Sequence, residues 1–78
     1  MKELLLYIAQ NLVEHPDDVV VSEKDADGKI VFELSVAPSD MGKVIGRHGK
    51  IAKEIRALMR AVGQRQGRRV IVDILDSE

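Results

Sequence analysis

Residues 44–51 read Val44-Ile45-Gly46-Arg47-His48-Gly49-Lys50-Ile51, and the fold is decided by how this octet is read. Two glycines enclose Arg47 and His48, with an apolar pair before them and Lys50 after. Without a Cβ, glycine lets the chain reverse sharply and lets a ligand come close to the backbone. Lys50 opens the longest amphipathic stretch of the chain, running to Arg65. Ile51, Ile55, Leu58, Met59 and Val62 fall on its predicted buried face, and Lys53, Arg56, Arg60 and Gln64 on its outer side. Gly63 weakens this helix near its end, and Gly67 is predicted to lie beyond it. Amides at a helix start point outward, and the helix dipole favours an anion there. With Arg47 adding a charge-assisted contact, the octet predicts an anion-gripping turn at a helix N-terminus.

Upstream, Pro38-Ser39-Asp40 breaks the chain, and Ser39 or Asp40 is expected to cap a short helix reaching about Ile45. Before it, Lys29 to Ala37 alternates: Ile30, Phe32, Leu34 and Val36 on one side, Lys29, Glu33 and Ser35 on the other, with Val31 the exception. Val19-Val20-Val21-Ser22 is β-branched and strand-like. Asp25-Ala26-Asp27-Gly28 supplies a hairpin turn between the two strands, so they should pair antiparallel. Lys2 to Val13 places Leu5, Ile8, Ala9 and Leu12 at helical spacing, and Pro16 ends that helix. Leu4, Leu6, Tyr7 and Val13 are more apolar side chains than one face holds. Either a broad buried stripe or a partner contact accounts for them. Downstream of Arg68-Arg69, Val70 to Leu75 forms a last strand with Val70, Val72 and Ile74 on one face. A helical crossover joins the second and last strands, making them parallel neighbours. The predicted fold is α+β, in the order α-β-β-α-α-β, with three helices packed on one face of a three-stranded mixed sheet.

Seventy-eight residues fit one domain, 1–78, near the lower size limit for an unaided hydrophobic core. The chain has no cysteine, which excludes disulfides and thiolate chemistry. No apolar run approaches the roughly 18 residues of a membrane span. Glu3, Gln10, Asn11 and Glu14 interrupt what would otherwise resemble a signal peptide. A cytoplasmic protein with no membrane partner is expected. The net charge of −1 conceals a segregation: residues 40–69 carry nine basic groups against two acidic, while residues 1–39 carry three basic against eight acidic. Lys53, Arg56 and Arg60 alone would be ordinary solvation of a helix. An excess that starts at the glycine turn and continues into the next loop indicates an anion-binding face instead.

Enzyme readings fail on spacing. A phosphate-binding Walker loop needs Gly-x4-Gly-Lys-Ser/Thr, but Val44 and Ile51 stand where its first glycine and its hydroxyl belong. Gly42, Gly46 and Gly49 are wrongly spaced for a dinucleotide fingerprint and follow a helix. His15 and His48 have no acidic or thiolate set beside them for a metal. No catalytic residue, metal, cofactor or small-molecule substrate is expected.

The element order, with Gly46-Arg47-His48-Gly49 between the two central helices, resembles a KH domain of the type II arrangement. The string from Val44 through Lys50-Ile51-Ala52-Lys53-Glu54-Ile55 to Arg56 resembles the signature of the small, stand-alone bacterial KH proteins of the KhpA type, and the resemblance covers essentially the whole chain. It implies an RNA-binding protein, an RNA chaperone or post-transcriptional regulator, whose Gly-x-x-Gly loop holds about four nucleotides of single-stranded backbone. Gly46, Arg47, His48 and Gly49 would meet the sugar-phosphates, with Lys43 and Lys50 beside them and Lys53 further along the helix. Val44, Ile45 and Ile55 would form an apolar wall for the bases, with the second strand opposite. Arg65, Arg68 and Arg69, in the variable-loop position from Gly63 to Arg69, would close the other rim. The resemblance also implies a homodimer, or a heterodimer with a larger KH-containing protein. Tyr7 and Phe32 are the only aromatic residues, so stacking platforms are scarce and weak binding of short sites is expected. His48 either gives the clamp a mild pH dependence or serves as a neutral turn residue. Single-stranded DNA is an alternative ligand. The rival reading is a protein-docking module with a KH-like fold and little nucleic-acid binding, which the surplus apolar residues of the first helix would suit.

Overall fold

Asp27 and Gly28 both adopt left-handed backbone geometry, with φ of 52° and 75°. Two such residues make a type I′ turn, whose twist matches that of the strands it joins. The computed structural model, which describes residues 1–75, builds its sheet outward from this turn. Ala26 pairs with Lys29, and the antiparallel register runs on to Val20 and Ser35. The hairpin strands are β1 (Val20–Ala26) and β2 (Lys29–Ser35). β1 therefore includes Asp25 and Ala26, which the sequence reading assigned to the turn. Residues 23–26 carry no apolar alternation of their own; pairing with the strongly patterned β2 holds them extended.

The remaining elements are α1 (Lys2–Leu12), α2 (Met41–Ile45), α3 (Lys50–Arg65) and β3 (Arg69–Ile74), with single 3₁₀ turns at Pro16–Asp18, Pro38–Asp40 and Arg47–Gly49. β3 lies parallel to β2 on the side away from β1, so the order across the sheet is β1-β2-β3. Ile30 sits beside Val70 and Phe32 beside Val72, which lines up one continuous apolar face. Leu5 and Ala9 of α1, Val44 of α2, and Ile55 and Met59 of α3 pack with that face to form the core. Leu4, Leu6 and Val13 are partly buried against it, so a broad stripe accounts for them. Tyr7 is 66% exposed and is not part of that stripe.

Two local interactions fix how the helices sit. Ser39 or Asp40 is expected from the sequence to cap α2, yet Asp40, at the N-cap position, makes no side-chain cap bond. Its carboxylate is instead fully buried and accepts the backbone N–H groups of Glu14, at 3.2 Å, and His15, at 3.0 Å. It thereby pins the exit of α1 to the root of α2. Burial alone would push this carboxyl up; the two N–H donors, with His15 and Lys43 nearby, outweigh it and hold the group below the usual carboxylate range.

At its other end, α3 stops in a Schellman arrangement. Arg68 N–H reaches the Gly63 carbonyl at 2.8 Å, Gly67 N–H reaches that of Gln64 at 3.1 Å, and Gly67 itself is left-handed at φ 70°. Gly63 is more than a weak helix former. A Cβ there would lie 2.4 Å from Val70 Cγ2 and 2.9 Å from the Arg68 carbonyl oxygen, so its bare backbone is what lets β3 close on the helix.

Candidate nucleic-acid interface

The turn between α2 and α3 is shaped by different demands at its two glycines. Gly46 has φ 77° and ψ 173°, a combination essentially confined to glycine. A Cβ there would sit 2.4 Å from Ile51 Cγ1 and 2.9 Å from the Ile51 backbone nitrogen. Gly49 is also left-handed, at φ 73°, but nothing lies within 4 Å of where its Cβ would be. The first glycine is thus demanded by packing, while the second faces open space. Between them His48 adopts φ 57°, at a cost of about 1 kcal/mol for an L-residue. Gly49 N–H closes the bend on the Gly46 carbonyl at 3.1 Å, and the Arg47 and His48 side chains are exposed.

Behind this bend, α3 begins without a side-chain cap and without an acid in its first turn. Lys50 and Lys53 stand there instead, both exposed. Cations at a helix N-terminus work against the dipole, and the first amides have no intrahelical acceptor. The local field is therefore positive and unbalanced. Lys43 is 41% exposed and shares its charge with Asp40 at 3.6 Å.

The rest of the expected site is distributed differently. Val44 is 0% and Ile55 4% exposed, so both belong to the core rather than to a wall offered to bases. Ile45 is half-buried. β2 cannot form the opposite wall, since it is the central strand with partners on both edges. β1 and β3 are the edge strands, and of the two β3 lies beside α3. Between it and α3 runs a trough in two connected parts. One, of about 300 Å³, is lined by Arg56, Arg60, Val72 and Asp73; the other, of about 320 Å³, by Lys29, Gln64, Arg68 and Arg69. Arg60, Val70 and Ile71 border both. Arg56 donates its Nε–H to the Val72 carbonyl at 3.1 Å, which ties the helix to the strand.

The sequence places Arg56 and Arg60 on the outer, basic side of the helix without naming them among the expected contact residues, and the structure sets both along the trough. Their spacing with Gln64, four residues apart in each step, places all three on one stripe and was the available signal. What the spacing does not contain is that β3 lies beside that stripe. Arg65, Arg68 and Arg69 are not brought to the bend. Sixteen residues of α3 separate the two ends, about 24 Å at 1.5 Å per residue. Arg68 and Arg69 line the far end of the trough, with Arg68 ion-paired to Asp25 of the hairpin. Arg65 does not line it.

On its other side, α3 is apolar. Leu58, expected to be buried, is 45% exposed. It borders a groove of about 200 Å³ between α1 and α3, which Ile8, Leu12, Ile51, Glu54 and Ile55 also line. Among the described residues, no helix is long and apolar enough to cross a membrane, and no cluster of three or more histidine or acidic side chains is placed to hold a metal ion.

Comparison with known proteins agrees with this architecture. The chain is similar to RNA-binding protein KhpA of Halalkalibacterium halodurans, 53% identical over 97% of this chain and all of that one. It is 51% identical to RNA-binding protein KhpA of Clostridium acetobutylicum over 96% of this chain and all of that one. For RNA-binding protein KhpA of Chlamydia pneumoniae the identity is 42% over the full length of both. Among solved structures, a variant of Aquifex aeolicus Era bound to GDP and AlF4− superposes with a TM-score of 0.65 at 24% identity, over 94% of this chain and 28% of that one. That likeness shows the fold alone. The family model described as KhpA/KhpB, KH domain, matches residues 2–74, from the first helix to the last strand, and the chain belongs to that family.

Proposed function

We propose that this protein binds single-stranded RNA in the cytoplasm as one KH unit, gripping the phosphate backbone at the Gly46–Gly49 bend and laying the strand along the basic trough between α3 and β3. The observation that carries the reading is the bend itself. Arg47 and His48 project from it, Gly49 leaves its approach open, and the amides of an uncapped helix stand behind it with lysines in place of acids. A phosphate there would accept from those amides and relieve the crowding of positive charge. Full-length relatives named for RNA binding support RNA as the ligand. Gly46, Arg47, His48, Gly49, Lys50 and Lys53 form the grip, with Lys43 beside it. Arg56, Arg60, Arg68 and Arg69 follow the strand onward. A contact of about four nucleotides, with few aromatic groups for stacking, fits weak and sequence-tolerant binding. Such binding suits an RNA chaperone or a post-transcriptional regulator.

The test is the pair Arg47→Asp with His48→Asp. Both side chains are exposed, so the variant should keep its circular dichroism spectrum and melting temperature. Its affinity for short single-stranded RNA should fall by at least about tenfold. Unchanged retardation or crosslinking would remove the grip from the bend. A matched DNA oligonucleotide in the same assay separates the two nucleic acids through the 2′-hydroxyl.

A further inference from the structure

The trough between α3 and β3 is blind at one end. Gln66, Gly67 and Arg68 join the helix directly to the strand, and the bonds from Gly67 to Gln64 and from Arg68 to Gly63 hold that connection against the helix end. A strand entering from the bend can run beside α3 until the connection crosses its path. Charge is concentrated at this closed end. Lys29, Arg60, Arg68 and Arg69 line the part of about 320 Å³ there, and no acidic side chain among the described residues lines it. The part nearer the bend differs, since Asp73 lines it along with Arg56. Asp25 pairs with Arg68. Lys29, Arg60 and Arg69 have no ion-pair partner among the described residues, which leaves three uncompensated cations around one pocket.

We propose that the closed end is a site for a phosphomonoester, the terminal phosphate of the RNA strand whose backbone the bend grips. The inference rests on the RNA reading and adds where that strand stops. An internal phosphodiester carries a single negative charge, too little for the three cations gathered here. A terminal phosphate carries about −1.5 to −2 at neutral pH and presents three acceptor oxygens. Those oxygens suit the planar forks of Arg60 and Arg69 and the point charge of Lys29. Gln64, four residues on from Arg60, lines the same pocket and brings an amide that can donate and accept toward the last nucleotide. A strand that continued would have to climb over the Gln66–Arg68 connection and away from these cations. A free nucleotide bears the same chemical group but lacks the second hold at the bend, and two linked contacts bind more tightly than either alone.

Fluorescence anisotropy of the full chain with one short RNA tests it, the RNA carrying a 5′-phosphate, a 3′-phosphate or hydroxyls at both ends. A strand lies in the trough in one direction, so one phosphorylated end and not the other should tighten binding by about tenfold over the hydroxyl-ended RNA. Lys29→Gln with Arg69→Gln, checked for an unchanged circular dichroism spectrum, should bring that ratio to about one. Arg56→Gln removes a cation from the other part of the trough, so it should weaken all three RNAs alike and keep the ratio. The absence of any gain overturns the proposal, as does an equal gain from either end or a gain that survives the double glutamine variant. Uridine 5′- or 3′-monophosphate binding as tightly as the phosphorylated RNA overturns it too, in favour of a free nucleotide. The Arg47→Asp, His48→Asp variant separates this inference from the reading beneath it. If that variant loses RNA while the wild type ignores the end phosphate, the terminal site alone fails; if the end phosphate matters and that variant binds normally, the grip at the bend fails.

Discussion

The two sides of α3 make an instructive contrast. Both flank the same buried ridge of Ala52, Ile55, Met59 and Gly63, and both open onto shallow clefts. One flank is arginine-rich and faces the edge strand β3, whose Val72 carbonyl accepts from Arg56. The other is aliphatic, holds one acid, and faces another helix. Periodicity alone separates buried from exposed on such a helix, but it cannot say that the exposed arc contains two surfaces with opposite chemistry. The neighbours decide that. β3 makes one flank a basic trough, and α1 makes the other an apolar groove.

The contrast can be broken most forcefully on the basic side. Arg60→Glu with Arg69→Glu should lower RNA affinity by roughly ten- to a hundredfold, each reversal being worth about a factor of ten at most. The melting temperature should hardly move, since neither residue is in an ion pair among those described.

Gly63→Ala is the next largest effect, and it strikes both flanks through their common support. The Cβ collides with Val70 and the Arg68 carbonyl, which should cost about 1–3 kcal/mol. In a domain of this size each kcal/mol shifts the melting temperature by roughly 4–8 °C. A melting point within one degree of wild type would show that β3 can retreat without penalty.

Asp40 lies off both flanks and sharpens the comparison as a stability control. Its carboxyl is held below the usual range when folded, so the folded protein binds this proton more weakly than the unfolded chain does. The resulting stability is complete above the unfolded value near 3.8 and is lost as the pH falls through the folded value. Asp40→Asn should therefore melt lower than wild type at neutral pH. The gap should narrow once the pH drops below about 4. A gap that is constant with pH would assign the loss to hydrogen bonding alone.

The smallest effect is the salt dependence. Plotting log affinity against log salt, Arg60→Gln should flatten the slope by about 0.7, the value for one phosphate contact on a single strand. Leu58→Asp should leave the slope as it is.

The sequence made the larger frame legible. Lys50–Arg65 was readable end to end because its apolar period, its glycine start and its glycine stop all agree. β2 was readable from alternation, and its parallel partner from the length of the crossover. β1 was only half readable, because Glu23 to Ala26 is extended by its neighbour rather than by its own pattern. In the site, the bend was legible because Gly46 and Gly49 are needed by local backbone geometry. Val44 and Ile55 were misjudged because an isoleucine or valine beside a binding turn has the same pattern whether it faces a ligand or the core. Asp40, with Ser39, is a candidate cap by sequence, the local role its position allows. Its actual partners are 25 and 26 residues away, and no window along the chain contains them.

That distant attachment has a dynamic consequence. The segment feeding the bend is anchored through two amides of the α1–β1 connection, so opening either one exposes both. Deuterium uptake at Glu14 and His15 therefore reads out, from about thirty residues upstream, how firmly the root of the Gly46–Gly49 bend is seated.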